Sequence, residues 1–382
     1  MISQKKYIQD FTCLAEKCPD HCCQGWNISL ESVDVHNLHC AGFGQIVDIQ
    51  LDKISSKKSC QITLKHSSCA AMIDGRCGVQ MQSGHEAIPL ICASYPRAFY
   101  RYSSKENPLA ASKMHQDVHG FLSCPEIARN IWMGEGKEWT SISEESQYTR
   151  RLKVAEDFTS SGLYARKCSY IRNAIQILLH ATTHSLSQKM MIIATGIRFS
   201  PAFFHHSSTK DESHRIVDEI QRNALVDEPH FIESDIDMTK LRQELFDLLY
   251  AVYKNPPPVS YKKSLEVHQK AVLWLEQNYV QWSDCDHEML QHHQNGLFNL
   301  YEYDWMERPY MMFSNLAEHE LANQIRQNLL RLYLVSQPTE DISLLISSME
   351  RLLSHSSWLQ EIIQKLMRRS IPITHQLFSF YL

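Results

Sequence analysis

The sequence predicts a mainly α protein: an irregular, Cys-rich N-terminal cluster-binding region packed on an α-helical C-terminal domain. Three observations carry this. Apolar residues recur at helical spacing through the last two thirds of the 382 residues. No Val/Ile-rich strands alternate with those stretches, so a doubly wound sheet is not expected. Ten of the twelve cysteines fall at or before residue 124. The expected division is 1–130 for an iron–sulfur or other metal-binding region and 131–382 for the helices, with a possible break at 254–260 around Pro256-Pro257-Pro258.

Taken in order, the first 130 residues offer few elements. Cys60-Gln-Ile-Thr-Leu-Lys65 reads as a weak strand, and Asp74-Gly75 and Pro89 as turns. This region lacks the long periodic runs needed to bury a core unaided, and a bound metal or cluster would supply the missing cross-links. Ser123-Cys-Pro-Glu126 has the S-x-x-E capping pattern, with Pro125 in the first turn. The helix it opens carries Ile127 and Ile131 on one face. Further apolar faces follow at Ile171, Ile175 and Leu178, then at Leu241, Leu245, Leu248 and Val252. Val272, Leu275, Tyr279 and Trp282 repeat the pattern, as do Leu321, Ile325 and Leu329, and finally Leu359, Ile363 and Leu366.

Composition narrows the function. Hydrophobic residues are 43% and charged residues 21%, the balance of a globular chain rather than a disordered tail, a collagen or a coiled-coil rod. No run of eighteen apolar residues occurs, so no membrane insertion is expected. Met1–Asp10 has no apolar h-region, which predicts no secretory leader and a cytoplasmic location. The net charge of −5, without a dense Lys/Arg run, argues against a general nucleic-acid binder. Oligomeric state leaves no signal in the sequence.

In a reducing compartment clustered thiols read as metal ligands rather than disulfides. Four segments carry them: Cys13-x4-Cys18-Pro-Asp-His-Cys22-Cys23-Gln-Gly-Trp26, Cys69-x7-Cys77, Cys92-Ala-Ser-Tyr95-Pro96-Arg97, and Cys124. A turn at Asp74-Gly75 folds the second segment so that two thiolates can reach one ion. Cys124, in the first turn of its helix, has free N–H groups and the helix dipole to favour a thiolate. Soft thiolates select zinc, copper(I) or iron–sulfur clusters, and four of them suffice for zinc or a 4Fe-4S cluster. Adjacent side chains seldom bind one ion, so one of Cys22 and Cys23 would ligate while the other packs or serves a second site. The lone Cys40, Cys60, Cys168 and Cys285 read as core residues. His21 and His66 are the histidines that could substitute as ligands.

Together these segments resemble the flagellin lysine N-methylase family and, more distantly, Cys-rich zinc- or iron-chelating domains. The resemblance rests on Phe11-Thr-Cys13, Cys18-Pro-Asp-His-Cys22-Cys23-Gln-Gly-Trp26, Cys69-Ala-Ala-Met-Ile-Asp-Gly-Arg-Cys77, Leu90-Ile-Cys92-Ala-Ser-Tyr95-Pro96-Arg97 and Ser123-Cys124-Pro-Glu126-Ile-Ala-Arg129. It implies methylation of flagellin surface lysines, with S-adenosylmethionine as donor and an iron–sulfur cluster in the enzyme. The ligand ranking is Cys69, Cys77 and Cys92 first, then one each from Cys22/Cys23 and Cys13/Cys18, then Cys124. Tyr95 is a candidate for managing the amine proton, and Arg97 and Trp26 for holding the donor. Glu126 is a further catalytic candidate, although Arg129 one helical turn on can pair with it.

The sequence departs from both common donor sites. Cys18-x3-Cys22 matches the first half of the radical C-x3-C-x2-C pattern, but Gly25 stands at the third position. Gly42-Phe-Gly44 is a bare G-x-G with Val47 where a third glycine would be. His287-Glu288-Met-Leu-Gln291 has Gln where a zincin needs its second His. The pairs His115/His119 and His180/His184 read as solvated or core residues. Two readings compete with the enzyme: a zinc- or iron-binding interaction module, and a redox sensor switching through Cys22-Cys23.

Overall fold

The computed structural model describes residues 2–25, 28–51, 58–66, 68–103, 114–142, 171, 173–198, 210–225, 247, 250, 254, 262–278, 291–306, 316–354 and 358–367. Helices dominate these residues, and none is long and apolar enough to cross a membrane. Among the expected features, Trp26, Cys168, Leu241, Leu245, Leu248, Val252, Pro256–Pro258, Tyr279, Trp282, Cys285 and His287 lie outside the described residues.

The N-terminal region is more regular than its composition suggests. Strand β1 (Ile2–Lys5) leads into a single helical turn, α1 (Lys6–Gln9). A three-stranded sheet follows, with β2 (Ser29–Leu30) and β3 (Val47–Leu51) flanking β4 (Lys58–Ile62). Cys60 thus lies in a strand, as expected. Helix α2 (Ser32–Cys40) covers this sheet. Its first turn is closed by a capping box between Glu31 and Asp34. Two hairpins come next: β5 (Leu64–Lys65) with β6 (Ser68–Cys69), and β7 (Met72–Ile73) with β8 (Arg76–Cys77). The second turns on Asp74 and Gly75, both at positive φ (48° and 76°), the geometry a two-residue hairpin needs. The short helices α3 (Gly78–Ser83) and α4 (Leu90–Ser94) complete a lobe around Ile28, Leu38, Phe43, Ile62 and Val79.

A second sheet ties the chain's start to residues more than a hundred positions away. Strands β9 (Arg97–Ser103), β10 (Met114–Gly120) and β11 (Trp139–Ile142) join β1 in the order β11-β1-β10-β9. β1 runs parallel to β10 and antiparallel to β11. At the end of β10, a Cβ on Gly120 would come within 2.7 Å of both Ile8 and Ile127, so the missing side chain lets α1 and the next helix close over the sheet.

That helix, α5 (Pro125–Met133), starts one residue later than expected. Its N-cap is Cys124, with Pro125 at the first position, and the Ser123-to-Glu126 capping box does not form. Pro125 has φ set for the first turn, and Glu126 turns outward to a bidentate pair with Arg129 (2.9 and 3.1 Å). Gly134 ends the helix in the left-handed region. The helix crosses residue 130, and Ile127 and Ile131 bury their side chains among the C-terminal helices.

Those helices are α6 (Leu186–Arg198), α7 (Lys210–Ala224), α8 (Lys262–Asn278), α9 (Gln294–Met306), α10 (Leu316–Ser336), α11 (Ile342–Ser354) and α12 (Trp358–Met367). The periodic residues behave as their spacing requires: Val272, Leu275, Leu321, Ile325, Leu329, Leu359 and Ile363 are buried in the core that also takes Tyr7, Val118 and Ile127. Each such side chain contributes about 1.5–3 kcal/mol when fully buried. Ile171, Ile175 and Leu178 form a second core with α6, α7, Tyr301 and Trp305.

Candidate functional site: thiols gathered beside a buried arginine

Local structure brings the thiol segments together. The Cys69 N–H donates to the Cys23 carbonyl (2.8 Å), and Gln24 bridges Ser68, so the first segment lies along the second. The His21 ring packs by Gly75, 3.8 Å from where its Cβ would stand. Consecutive hairpins place Cys69 at the end of β6 and Cys77 at the end of β8. Cys92 sits in α4, which is anchored by the Leu90 N–H donating to Asp34 Oδ1 (2.9 Å). Cys60, Cys69, Cys77 and Cys92 all pack against the core of the small lobe. Cys40 is exposed.

Electrostatics show which thiols sense one another. A hydrogen bond between the adjacent Cys22 and Cys23 pulls Cys22 down and pushes Cys23 up. Burial raises Cys23 further, and Cys22, Cys92 and Cys69 add to it. Burial also raises Cys92, with Cys22, Cys69 and Cys77 adding to it. Cys69 is raised by burial, then by Cys77 and Cys22. Burial takes Cys18 to about 11, and Cys22 and Cys13 contribute. Cys22 therefore acts on Cys23, Cys69 and Cys92 on one side and on Cys18 and Cys124 on the other.

Cys124 corrects an expectation. The N–H groups of Ile127 and Glu126 do pull its thiol down, as a helix start should, but burial outweighs them and takes it to about 12. A helix terminus favours a thiolate where solvent or a cation also helps, and Cys124 is enclosed. Burial thus favours the neutral thiol at Cys18, Cys23, Cys69, Cys92 and Cys124, whereas Cys22 is the one pulled toward the thiolate.

A buried arginine joins two of the segments. Arg351, on α11, forms an ion pair with Asp20 at 2.6 Å, with both side chains almost wholly enclosed (2% and 3% exposed). Its guanidinium also donates to the carbonyls of Ser123 (3.1 Å), Asp20 (3.0 Å) and His21 (3.5 Å). Burial nonetheless keeps the Asp20 carboxyl above its usual range. Arg351 is a buried anchor that none of the cysteine motifs pointed to. The signal was present: it falls in phase with Leu344 and Ser347 on a buried helix face, where a charge is out of place.

The other candidates are placed as follows. The Tyr95 hydroxyl shares a hydrogen bond with Ser123 Oγ (3.1 Å). Burial, then Cys124 and Cys22, hold its phenol neutral, well above the ordinary range. The Arg97 guanidinium lies 5.2 Å over the Phe11 ring, joining the third segment to the first. Glu126 is engaged with Arg129. The decoy pairs fail as helical ligand pairs: His115 and His119 lie on strand β10, and His184 lies in a bend after its helix.

Among the described residues, no group of three or more Cys, His, Asp or Glu side chains is arranged to hold a metal ion. The thiols suit a soft metal in kind, and Cys22, Cys69 and Cys92 act on one another's acidity, but they are not gathered into a ligand set here.

No protein-family model matches the chain, and no solved structure does. A flagellar biosynthetic protein FliU of Salmonella muenchen is 26% identical over 168 residues, covering 40% of this chain and 93% of that protein. Lysine-N-methylases of Salmonella choleraesuis and Salmonella typhimurium are each 27% identical over 139 residues, 34% of this chain. The chain spans about a third (32%) of the length of those two methylases.

Proposed function

We propose that this chain is a protein-lysine N-methyltransferase acting on flagellin, with S-adenosylmethionine as donor and a thiolate-held centre, a 4Fe-4S cluster or zinc, in its N-terminal region. The observation that carries the reading is the meeting of Cys22-Cys23, Cys69, Cys77 and Cys92 in one neighbourhood, in the segment order that resembles the flagellin methylases. The printed names of the distant relatives support it.

Cys23, Cys69, Cys77 and Cys92 are the first choice to hold the centre, with Cys22, Cys18, Cys13 and Cys124 beside them. Bound there, the centre would cross-link the small lobe and keep its thiols ionised; an iron–sulfur cluster would add one-electron chemistry. Polar methyl transfer requires the target lysine as a neutral amine. Its nitrogen forms the new N–C bond, the sulfonium C–S bond breaks with its electron pair passing to sulfur, and the amine proton leaves to solvent. An apolar slot lowers the lysine pKa from about 10.4 by disfavouring the ammonium form. Tyr95, kept as a neutral phenol, offers a hydrogen-bonding group rather than a phenolate base.

The test is anaerobic purification with iron, sulfide and zinc quantitation, followed by incubation with methyl-labelled S-adenosylmethionine and flagellin. Label on flagellin lysines is the expected result. A loaded centre with no label on lysine would overturn the enzyme reading. The hydrogen-bonded Cys22-Cys23 pair would then favour a non-enzymatic metal-binding or redox-sensing module.

A further inference from the structure

A cavity of about 380 Å3 opens at the opposite end of α5 from Cys124. The nine residues of that helix rise about 13 Å, so the cavity and the thiols are separate places. Its volume falls within the roughly 300–1,000 Å3 of small-molecule sites. Among the residues that line it are Lys5 of β1, Lys137, Trp139 of β11, His180 of the helix over 173–180, and Asn299 and Glu302 of α9.

The polar groups form a built network. Glu302 is almost enclosed (side chain 12% exposed), and its two oxygens are held separately, one by Lys137 (2.5 Å) and one by His180 (2.8 Å). Lys137 also donates to Asn299 Oδ1 (2.8 Å), and Asn299 in turn donates to the Trp132 carbonyl (2.8 Å). Lys5 donates to the Lys137 carbonyl (2.7 Å) and covers one face of the Trp139 indole at 4.5 Å. Each carboxylate oxygen has a second lone pair, and an ammonium has three donors, of which these contacts of Lys137 use two.

A fixed cation and a fixed anion side by side suit a ligand that carries both charges on one carbon. An α-amino-acid group placed there would bring its carboxylate to Lys137 and its ammonium to Glu302, closing a ring of four alternating charges. A simple anion would meet Glu302 and a simple cation would meet Lys137, so neither is favoured. The cavity is larger than an amino acid alone needs, and the Trp139 indole offers a π surface to a heteroaromatic ring or a sulfonium.

We propose that this cavity binds a small molecule joining an α-amino-acid zwitterion to an aromatic ring. On the methyltransferase reading, on which this part rests, that molecule is the sulfonium donor. The donor's carboxylate is thereby assigned to Lys137 rather than to Arg97, and the donor stands apart from the thiols.

The experiment is titration calorimetry of the full chain with S-adenosylhomocysteine, methionine and ATP, run beside the labelled methyl-transfer assay. S-adenosylhomocysteine is expected to bind at one site and methionine more weakly at the same site. Lys137→Met and Trp139→Ala should each weaken S-adenosylhomocysteine tenfold or more, and Lys137→Arg should restore most of the loss. The Trp139 indole is half exposed (48%), so Trp139→Ala keeps the test readable if Lys137→Met fails to fold. Binding unchanged in both variants, or methyl transfer without measurable binding here, would overturn the cavity assignment and leave the enzyme reading intact. ATP binding as tightly as S-adenosylhomocysteine, with methionine silent, would overturn the zwitterion class. Neither binding nor transfer would remove both.

Discussion

Arg351 and Asp20, 331 positions apart, form an enclosed ion pair at 2.6 Å, and the same guanidinium gathers the backbone of Ser123 and His21. One side chain of the C-terminal helices thus holds two loops that carry Cys18, Cys22, Cys23 and Cys124. Such a pair need not add net stability, because burial costs both charges their hydration; it fixes one arrangement of the loops.

Removing one member should therefore cost more than the pair is worth. Arg351→Met leaves Asp20 and three carbonyls without their partner and is expected to destabilise the fold by about 3–5 kcal/mol in urea unfolding. Asp20→Asn keeps the carbonyl bonds and should cost less. A wild-type unfolding midpoint for Arg351→Met would sink the clamp.

The thiol groups make a graded expectation. Serine replacements at Cys23, Cys69, Cys77 and Cys92 should each remove at least half of the bound metal, whereas Cys40→Ser, at an exposed position, should leave it unchanged. If the proposed centre is their cross-link, chelation should expose the small-lobe thiols to Ellman's reagent. Equal metal content across the series would place the centre elsewhere.

Helix α9 meets α5 through a glycine. A Cβ on Gly296 would overlap the Trp132 indole, so Gly296→Ala must push the helices apart. The expected cost is about 1–3 kcal/mol by thermal or urea unfolding. An unchanged or raised midpoint would show that Trp132 can turn aside.

Lys189 gives a pH dependence. Its Nζ is buried and donates to the Leu179 carbonyl (2.7 Å), and burial pulls its pKa below the usual 10.5. The unfolded chain then holds this proton to higher pH than the folded one, so stability rises as pH climbs from the folded pKa to 10.5. The cost is present in full below that window. Urea unfolding between neutral pH and 10.5 should show the rise in the wild type and lose this component in Lys189→Met. The same rise in the variant would assign it to other groups.

What the sequence determined by itself is local. Val272 with Leu275, and Leu321 with Ile325 and Leu329, announced buried helix faces because a 3.6-residue period needs no knowledge of the partner. Asp74-Gly75 announced its hairpin because few residues accept positive φ. The grouped cysteines raised a shared site as an expectation, which the proposed function carries forward. Tertiary structure decided the rest. It set the pairing of β1 with β10 and β11, the burial that overrode the helix start at Cys124, and the placing of Arg351 against Asp20. It also joined Lys137 and Glu302 across 165 positions to floor a cavity that no motif marks. Periodicity and turn chemistry act within a few residues, whereas desolvation and long-range charge pairing depend on which surfaces meet after the chain has closed on itself.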